Sequence, residues 1–322
     1  MPQGRKIAVK YIITENENGK PIRDVLRYDL GLTMSFVKHL KFEEDGILLN
    51  GEHATVRKTV QTGDVLSLKT EDTYEDSSIL TPCELPLDIV FEDSRIIAPS
   101  KPPFMPTHPS YRHRGDTLAD AIAFRYAQQN EPFVFRSVNR LDRNTSGLTL
   151  IAKDRISASR LSGAMQRGEI KKQYLAVLDG ELPLGEGQIE AYIRRISDSI
   201  ITREACADDK GGDYALTKYT VLCSKNAHSL VLAAPITGRT HQLRVHFASI
   251  GAPIAGDDIY GQESELIERH ALHALKIRFP HPSNDAPMTL CAPIPDDMQK
   301  LISTVFGDVR EDLYSLDFGL NS

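Results

Sequence analysis

The chain has 322 residues and a formal net charge of −6, with 41% hydrophobic and 25% charged residues. These proportions are ordinary for a globular protein and leave room for two domains. No apolar run is long enough for a membrane helix, and the four cysteines form no CxxC pair, which argues against a disulfide framework or a zinc site. The start, MPQGRKIAVKYIITE, lacks the apolar centre of a signal peptide, so we expect a cytoplasmic location.

Residues 1–70 are predicted to form a first, small unit. A strand over Ile7–Ile13 precedes two segments of apolar residues at helical spacing, separated by Gly31, and Ser35 is a candidate N-cap for the second. Strands are then predicted over Gly46–Leu49, around Ala54–Val60 and over Val65–Leu68. The dipeptide Asn50-Gly51 between apolar runs is a strong hairpin signal.

The runs ILLNGE and GDVLSL after two short helices resemble a small RNA-binding module. A small-subunit ribosomal protein and many RNA-modifying enzymes share this module, in which a basic helix face grips structured RNA. The resemblance implies this role for Arg27, Lys38 and Lys41. The net charge of the unit is near zero, which leaves open a small α+β domain that binds no nucleic acid.

Charge is distributed unevenly along the chain. Residues 71–86 are acidic, lack periodicity and are predicted to be a linker between the first unit and a domain over residues 87–322. From Glu71 to Asp93 there are eight acidic residues and no Lys or Arg, whereas residues 136–174 carry nine Lys or Arg and three acidic residues. This distribution is compatible with a local RNA-binding face on an acidic protein, although a charge run is usually a solvated surface.

The second domain is predicted to begin with a β-hairpin. Its strands cover Leu87–Phe91 and Arg95–Ala98, and the following Lys101-Pro102-Pro103 forms a loop that two prolines stiffen. Helices are then predicted over Thr117–Gln129 and Ile156–Gln166, and strands over Ile170–Val177, Ile189–Arg195, Ala215–Cys223 and Ser229–Ala233. A further helix presents an apolar face of Leu243, Phe247 and Ile250.

The stretch Val138–Leu150, VNRLDRNTSGLTL, combines charged residues, a tight polar loop and an apolar strand. Its one carboxylate, Asp142, lies between Arg140 and Arg143. A carboxylate held by cations and fixed dipoles stays ionised at neutral pH, as a nucleophile or base must. Taken alone, an Arg-Leu-Asp run is more often a surface turn with a structural ion pair.

The run RLDRNTSGL resembles the catalytic-loop motif of the RluA-type pseudouridine synthases. Further motifs of that family match in order over about residues 85–300, including the K-x-Y-x-A pattern at Lys172–Ala176 and ITGRTHQLRVHF at Ile236–Phe247. One departure is Asn139, where the family usually has His. The resemblance implies an α+β pseudouridine synthase fold, with a mixed, mostly antiparallel sheet bent around a central cleft.

The resemblance also implies an activity, the isomerisation of uridine in RNA to pseudouridine. Asp142 would act on the ribose as nucleophile or base, by covalent attack or by glycal formation. Tyr174 would hold the uracil ring, and Arg244 would pair with Asp142. The target base would leave its helix, because its glycosidic bond is otherwise buried.

The remaining expectations concern RNA contacts, cofactors and partners. Arg140 would help displace the base, and Lys101, Arg239, Lys171 and Lys172 are candidate phosphate contacts. No metal or other cofactor is expected, because the histidine pairs have the wrong spacing for a helical zinc site and no phosphate-cradling glycine motif is present. The expected partner is RNA, bound by a monomer away from membranes.

Two other functions stay open on the sequence. One is a non-catalytic RNA-binding factor in ribosome assembly, and the other is a sugar-bond hydrolase, which would need a second acid at the site. Among RNA substrates, the N-terminal unit favours large-subunit ribosomal RNA over transfer RNA.

Overall fold

The computed structural model describes residues 9–70, 80–131, 133–197, 199, 201–207, 211–309 and 312–317. Their strands form two separate sheets, one of four strands and one of eleven. None of the helices in these ranges is long and apolar enough to cross a bilayer.

The N-terminal sheet has the strand order β1-β4-β2-β3, and all its pairs are antiparallel. Its elements are β1 (Val9–Ile12), α1 (Ile22–Asp24) continued by a π-helical turn (Val25–Asp29), α2 (Met34–Phe42), β2 (Ile47–Leu49), β3 (Glu52–His53) and β4 (Val65–Leu68). Apolar residues of both helical segments and of the strands share one core. Ile7 and Ala8 of the predicted first strand lie outside the described residues.

Two local predictions for this unit are wrong. The strand predicted around Ala54–Val60 does not form, because its backbone pairs instead with the segment before and at α1: Val56 O accepts from Arg23 N, and Val60 N donates to Lys20 O. The cap of α2 is Thr33, whose Oγ1 accepts from the backbone N–H of Phe36 at 3.3 Å, and the predicted cap Ser35 lies inside the helix.

The large sheet runs β11-β10-β12-β13-β9-β14-β7-β6-β5, with β15 paired to β14 and β8 to β6. Its strands are β5 (Asp88–Glu92), β6 (Ile96–Lys101), β7 (Ser146–Leu148), β8 (Ile151–Ala152), β9 (Lys171–Asp179), β10 (Gly185–Arg195), β11 (Arg203–Cys206), β12 (Asp213–Lys225), β13 (His228–Pro235), β14 (Leu272–Pro280) and β15 (Pro287–Cys291). The helices of this part are α3 (Leu118–Gln128), α4 (Arg155–Gln166), α5 (Gln242–Ser249) and α6 (Asp296–Phe306). Only the β14–β7 pair is parallel among the described strands. The predicted α+β class with a mixed, mostly antiparallel sheet is confirmed.

The core lies on the central strands, since β9, β13 and β14 contribute fully buried side chains that pack against α5 and α6. The parallel contact of β7 with β14 requires glycine at Gly147, which has a φ of 109°. A Cβ there would lie 2.3 Å from the carbonyl oxygen of Ala274. This close approach fixes the end of the polar loop that precedes β7.

The N-terminal unit packs against α4. The backbone N–H of Thr33 donates to Ser159 Oγ at 2.9 Å, Arg155 pairs with Glu43 at 2.9 Å, and Ile156 joins the N-terminal core. The boundaries 1–70, 71–86 and 87–322 stay predictions, and residues 71–79 of the predicted linker lie outside the described residues.

Candidate active site

A cleft of about 870 Å³ opens over the middle of the large sheet. Its walls are the loop 138–145 before β7, the start of β9, the C-terminal end of α4, and the segment from the end of β13 into α5. These segments are far apart in sequence, and the pairing of β9 with β13 and β14 brings them together.

The loop that carries Asp142 is closed by a side-chain amide. Asn139 is buried, donates from Nδ2 to the carbonyl of Leu148 at 3.0 Å, and accepts from the backbone N–H of Leu150 at 2.7 Å. Val138 N adds a bond to Leu150 O at 2.7 Å. The amide at position 139 therefore ties the two ends of the loop together by donating and accepting at once.

The side chain of Asp142 lines the cleft and is 31% exposed. Nη1 of Arg244 lies 3.6 Å from its Oδ2, as predicted for this pair. The tighter partner of Arg244 is Asp257, which accepts from Nε and Nη2 at 2.7 Å each. Burial lowers the pKa of Arg244, but the hydrogen bonds and charge of Asp257 raise it by more. The pKa of Arg244 is therefore raised overall, and its side chain stays positively charged.

Two side chains of the site were missed as functional candidates in the sequence. Nε2 of His241 lies 3.8 Å from Asp142 Oδ2, and its Nδ1 lies 2.8 Å from the hydroxyl of Tyr260. The guanidinium of Arg244 lies 5.0 Å from the centroid of the Tyr260 ring. Spacing gave no signal for this group, because Tyr260 is 19 positions from His241 and reaches it only in the fold.

Tyr174 is on β9, with its ring in the cleft wall and 8% exposed. Burial, and to a lesser extent the charge of Asp142, raises the pKa of the Tyr174 phenol well above its ordinary value. The ring is therefore a neutral surface beside the carboxylate, as a side chain that holds a flat base requires.

Lys101 does not occupy the position expected of a phosphate contact. It is fully buried, and its ammonium donates to the carbonyls of Pro102, Met105 and Arg143 at 2.8–3.1 Å. Burial lowers the pKa of Lys101 to about 7. Its side chain joins the proline-rich loop to the loop of Asp142, and its three donors are occupied within the protein.

The other predicted RNA contacts fall into two groups. Arg140, Arg239, Lys171 and Lys172 all line the cleft, and both arginines are exposed. Burial lowers the pKa of Lys172. The second group consists of the exposed residues Arg27, Lys38 and Lys41 of the N-terminal unit, which lie outside the cleft wall.

Across the described part of the chain, no group of three or more His, Cys, Asp or Glu side chains is arranged to hold a metal ion. The site brings together the Asp142 carboxylate, the Arg244 guanidinium held by Asp257, the His241 imidazole and the phenols of Tyr174 and Tyr260, with cations at the rim.

Comparisons with known proteins agree with this geometry. The family profile described as RNA pseudouridylate synthase matches residues 95–249. An uncharacterized RNA pseudouridine synthase of Bacillus subtilis, YjbO, is 36% identical over 274 residues, which are 85% of this chain and 95% of the relative. Ribosomal large subunit pseudouridine synthase D of Vibrio cholerae is 32% identical over 282 residues, or 83% of this chain and 85% of the relative.

A solved structure, human RNA pseudouridylate synthase domain containing 1, superposes with a TM-score of 0.53 at 27% identity, covering 65% of this chain and 83% of the human one. Both relatives share most of their length with this chain. The chain belongs to the RluA-type family of RNA pseudouridine synthases, which are isomerases.

Proposed function

We propose that this synthase isomerises specific uridines of large-subunit ribosomal RNA, with Asp142 as the residue that acts on the ribose. The observation that carries the proposal is the ion pair of Asp142 with the buried Arg244 at 3.6 Å, inside a cleft that also presents the Tyr174 ring. This arrangement holds a carboxylate beside a fixed cation, next to the space where a nucleotide fits.

In the proposed reaction the target nucleotide leaves its helix and enters the cleft. Asp142 acts either by attack on the anomeric carbon or by removal of the neighbouring ribose proton. The glycosidic bond to nitrogen breaks and the uracil turns against the Tyr174 ring. Its carbon 5 then bonds to the anomeric carbon, which releases the Asp142 carboxylate in the first route, whereas in the second route Asp142 returns the removed proton to the ribose. The proton on carbon 5 moves to the freed nitrogen. Atoms and electrons balance within the nucleotide, so the isomerisation consumes no co-substrate.

Basic side chains at the cleft mouth support RNA as the ligand. Arg140 is exposed beside Asp142 and would take the place of the displaced base in the stack. Arg239, Lys171 and Lys172 surround the opening and would contact phosphates.

The N-terminal unit supports a large, structured RNA as the substrate. It packs on α4, whose last residue, Gln166, lines the cleft. RNA held by Arg27, Lys38 and Lys41 would therefore lie on a unit that packs directly against one wall of the cleft. Relatives named for the large ribosomal subunit point to the same RNA.

The test is a pseudouridine map of total RNA from cells that lack the gene, rescued with wild type, Asp142→Asn or Asp258→Asn. The expected result is loss of specific sites in large-subunit ribosomal RNA, restored by wild type and by the exposed-carboxylate control Asp258→Asn, but not by Asp142→Asn. If sites were lost only from transfer RNA, the proposal that ribosomal RNA is the substrate would be wrong. Equal rescue by Asp142→Asn would overturn the catalytic role and favour a non-catalytic RNA-binding factor.

A further inference from the structure

His241 adopts a strained backbone conformation next to Asp142. It precedes α5 with a φ of 57°, in the left-handed region that non-glycine residues enter at a cost. This conformation places the imidazole between Asp142 and Tyr260, whose ring meets it edge to face at 77°. Strain held next to a reacting group suggests that the position of the ring matters for function.

The hydrogen bonds of Tyr260 bear on which ring nitrogen of His241 carries the proton. The backbone N–H of Arg203 donates to the Tyr260 hydroxyl oxygen at 2.9 Å. While its oxygen accepts from Arg203, the hydroxyl can donate its own proton to His241 Nδ1, 2.8 Å away. A neutral imidazole that accepts at Nδ1 carries its hydrogen on Nε2, and Nε2 is the nitrogen that faces Asp142.

We propose that His241 is a positioning residue whose Nε2–H holds Asp142 Oδ2, and that Tyr260 fixes the tautomer that makes this possible. The proposal rests on the proposed role of Asp142. The nitrogen and oxygen are 3.8 Å apart in the free protein. A movement of about 1 Å on substrate entry would bring them to hydrogen-bond distance, since such contacts often tighten only in the complex.

The charged groups around His241 are consistent with a neutral ring. Burial lowers the pKa of His241, Asp142 raises it, Arg244 and Arg203 lower it, and Asp257 raises it, with a net decrease. His270 also faces this group. Burial raises the pKa of Tyr260, so the phenol keeps the proton that it donates.

Tyr260 also contacts Arg244, with the guanidinium 5.0 Å from the ring centroid. One tyrosine therefore orients both donors that approach Asp142, the guanidinium through its ring and the imidazole through its hydroxyl. This arrangement would fix the carboxylate from two directions before substrate binds.

The first test needs no activity. The protein is labelled with 15N-histidine, and the ring nitrogen shifts are recorded at pH 7.5, with His241→Gln assigning the signals of residue 241. The expected result is a neutral ring protonated at Nε2, changing to a mixture of tautomers in Tyr260→Phe. A cationic ring, or one protonated at Nδ1 in the wild type, would overturn the proposal whatever the role of Asp142.

The second test separates positioning from structure by single-turnover kinetics on a ribosomal RNA fragment. His241→Phe should lower the rate on the order of 10- to 100-fold with little change in RNA affinity, and His241→Gln, whose amide can still donate, should recover several-fold. Tyr260→Phe should lower the rate several-fold, because the neutral ring then carries its hydrogen on Nε2 only part of the time.

His246→Gln is the matched control, since this buried histidine of α5 bonds Thr217 and not Asp142. Its rate per folded molecule should match the wild type. Equal losses in His241→Gln and His241→Phe, with an unchanged rate in Tyr260→Phe, would contradict the positioning role. An active Asp142→Asn protein would instead remove the proposed function and leave the tautomer result standing.

Discussion

Arg244 and Asp257 form a bidentate ion pair, with both nitrogen–oxygen distances at 2.7 Å, in the interior below the cleft. Asp257 also accepts from the backbone N–H groups of Ile259 and Tyr260 at 3.1 Å. The looser contact of Arg244 with Asp142, at 3.6 Å, is therefore made by a guanidinium already fixed from behind. The cation is preorganised by a second carboxylate before any substrate arrives.

Asp257→Asn should damage both stability and catalysis. The amide keeps the shape of the side chain but removes the bidentate counter-charge of the buried Arg244 cation and leaves only the looser contact with Asp142, which costs about 3–5 kcal/mol of the free energy of unfolding. The single-turnover rate should fall on the order of 100-fold, because the guanidinium is no longer held in place. Urea unfolding and single-turnover assays measure the two effects.

Asp258→Asn is the control for this pair, because that carboxylate is 58% exposed and 3.8 Å from Arg244. Its free energy of unfolding should stay within about 0.5 kcal/mol of the wild type. If the two variants proved equally stable, Asp257 would not be the partner that fixes Arg244.

Asn139→Leu should open the loop of Asp142. Leucine has a similar size but cannot bond, so the carbonyl of Leu148 and the N–H of Leu150 lose their partners at a cost of about 2–4 kcal/mol. The single-turnover rate should also fall, because the loop loses its geometry. The rate is measured under conditions well below the unfolding midpoint, where the variant is folded. The control is Ser137→Ala, which removes only the solvent-accessible contact with His108, and a comparable loss there would show that the amide has no special role.

Stability should fall in mild acid because of buried His246. Its ring is fully buried, its Nε2 has no hydrogen-bond partner among the described residues, and burial lowers its pKa to about 4. The unfolded chain takes up this proton below about pH 6.5, whereas the folded protein resists until about pH 4. The free energy of unfolding should therefore decrease as pH falls through this window, by roughly 3 kcal/mol from this group.

His246→Gln should make the free energy of unfolding depend less steeply on pH between pH 6.5 and 4, because unfolding then takes up one proton fewer. Urea titrations at half-unit steps measure it, with exposed His53→Gln as the variant that keeps the wild-type slope. An unchanged slope in His246→Gln would mean that this ring does not resist protonation in the folded protein.

Much of the fold was predictable because the signals are local. The Asn50-Gly51 hairpin forms between β2 and β3, and the helix predicted over Thr117–Gln129 forms as α3, each from residues close in sequence. The loop of Asp142, singled out through motifs that resemble those of a family, lines the cleft.

The errors and omissions concern side chains whose positions depend on contacts between residues far apart in sequence. Lysine is usually a surface residue, and the burial of Lys101 depends on the carbonyl of Arg143, 42 positions away. The Arg244–Asp257 pair and the contact of His241 with Tyr260 likewise join residues that no local period relates. Propensity says nothing about such pairs, since only the folded sheet brings them together.

The packing of the N-terminal unit on α4 depends on Gly163. A Cβ at this position would lie 2.7 Å from the carbonyl oxygen of Gly31, a backbone atom that cannot turn aside. Gly163 has helical backbone, so a larger residue would favour α4 itself while forcing the two parts of the chain apart. The substitution therefore tests the contact without weakening the helix.

Gly163→Leu should separate the N-terminal unit from α4 and raise the KM for ribosomal RNA several-fold, with kcat within about twofold because the cleft is untouched. Small-angle scattering should show a larger radius of gyration, and steady-state kinetics supply the constants. Ser162→Ala, at the exposed neighbouring position, should match the wild type in both measurements. A compact Gly163→Leu protein with unchanged KM would show that docking on α4 does not contribute to RNA binding.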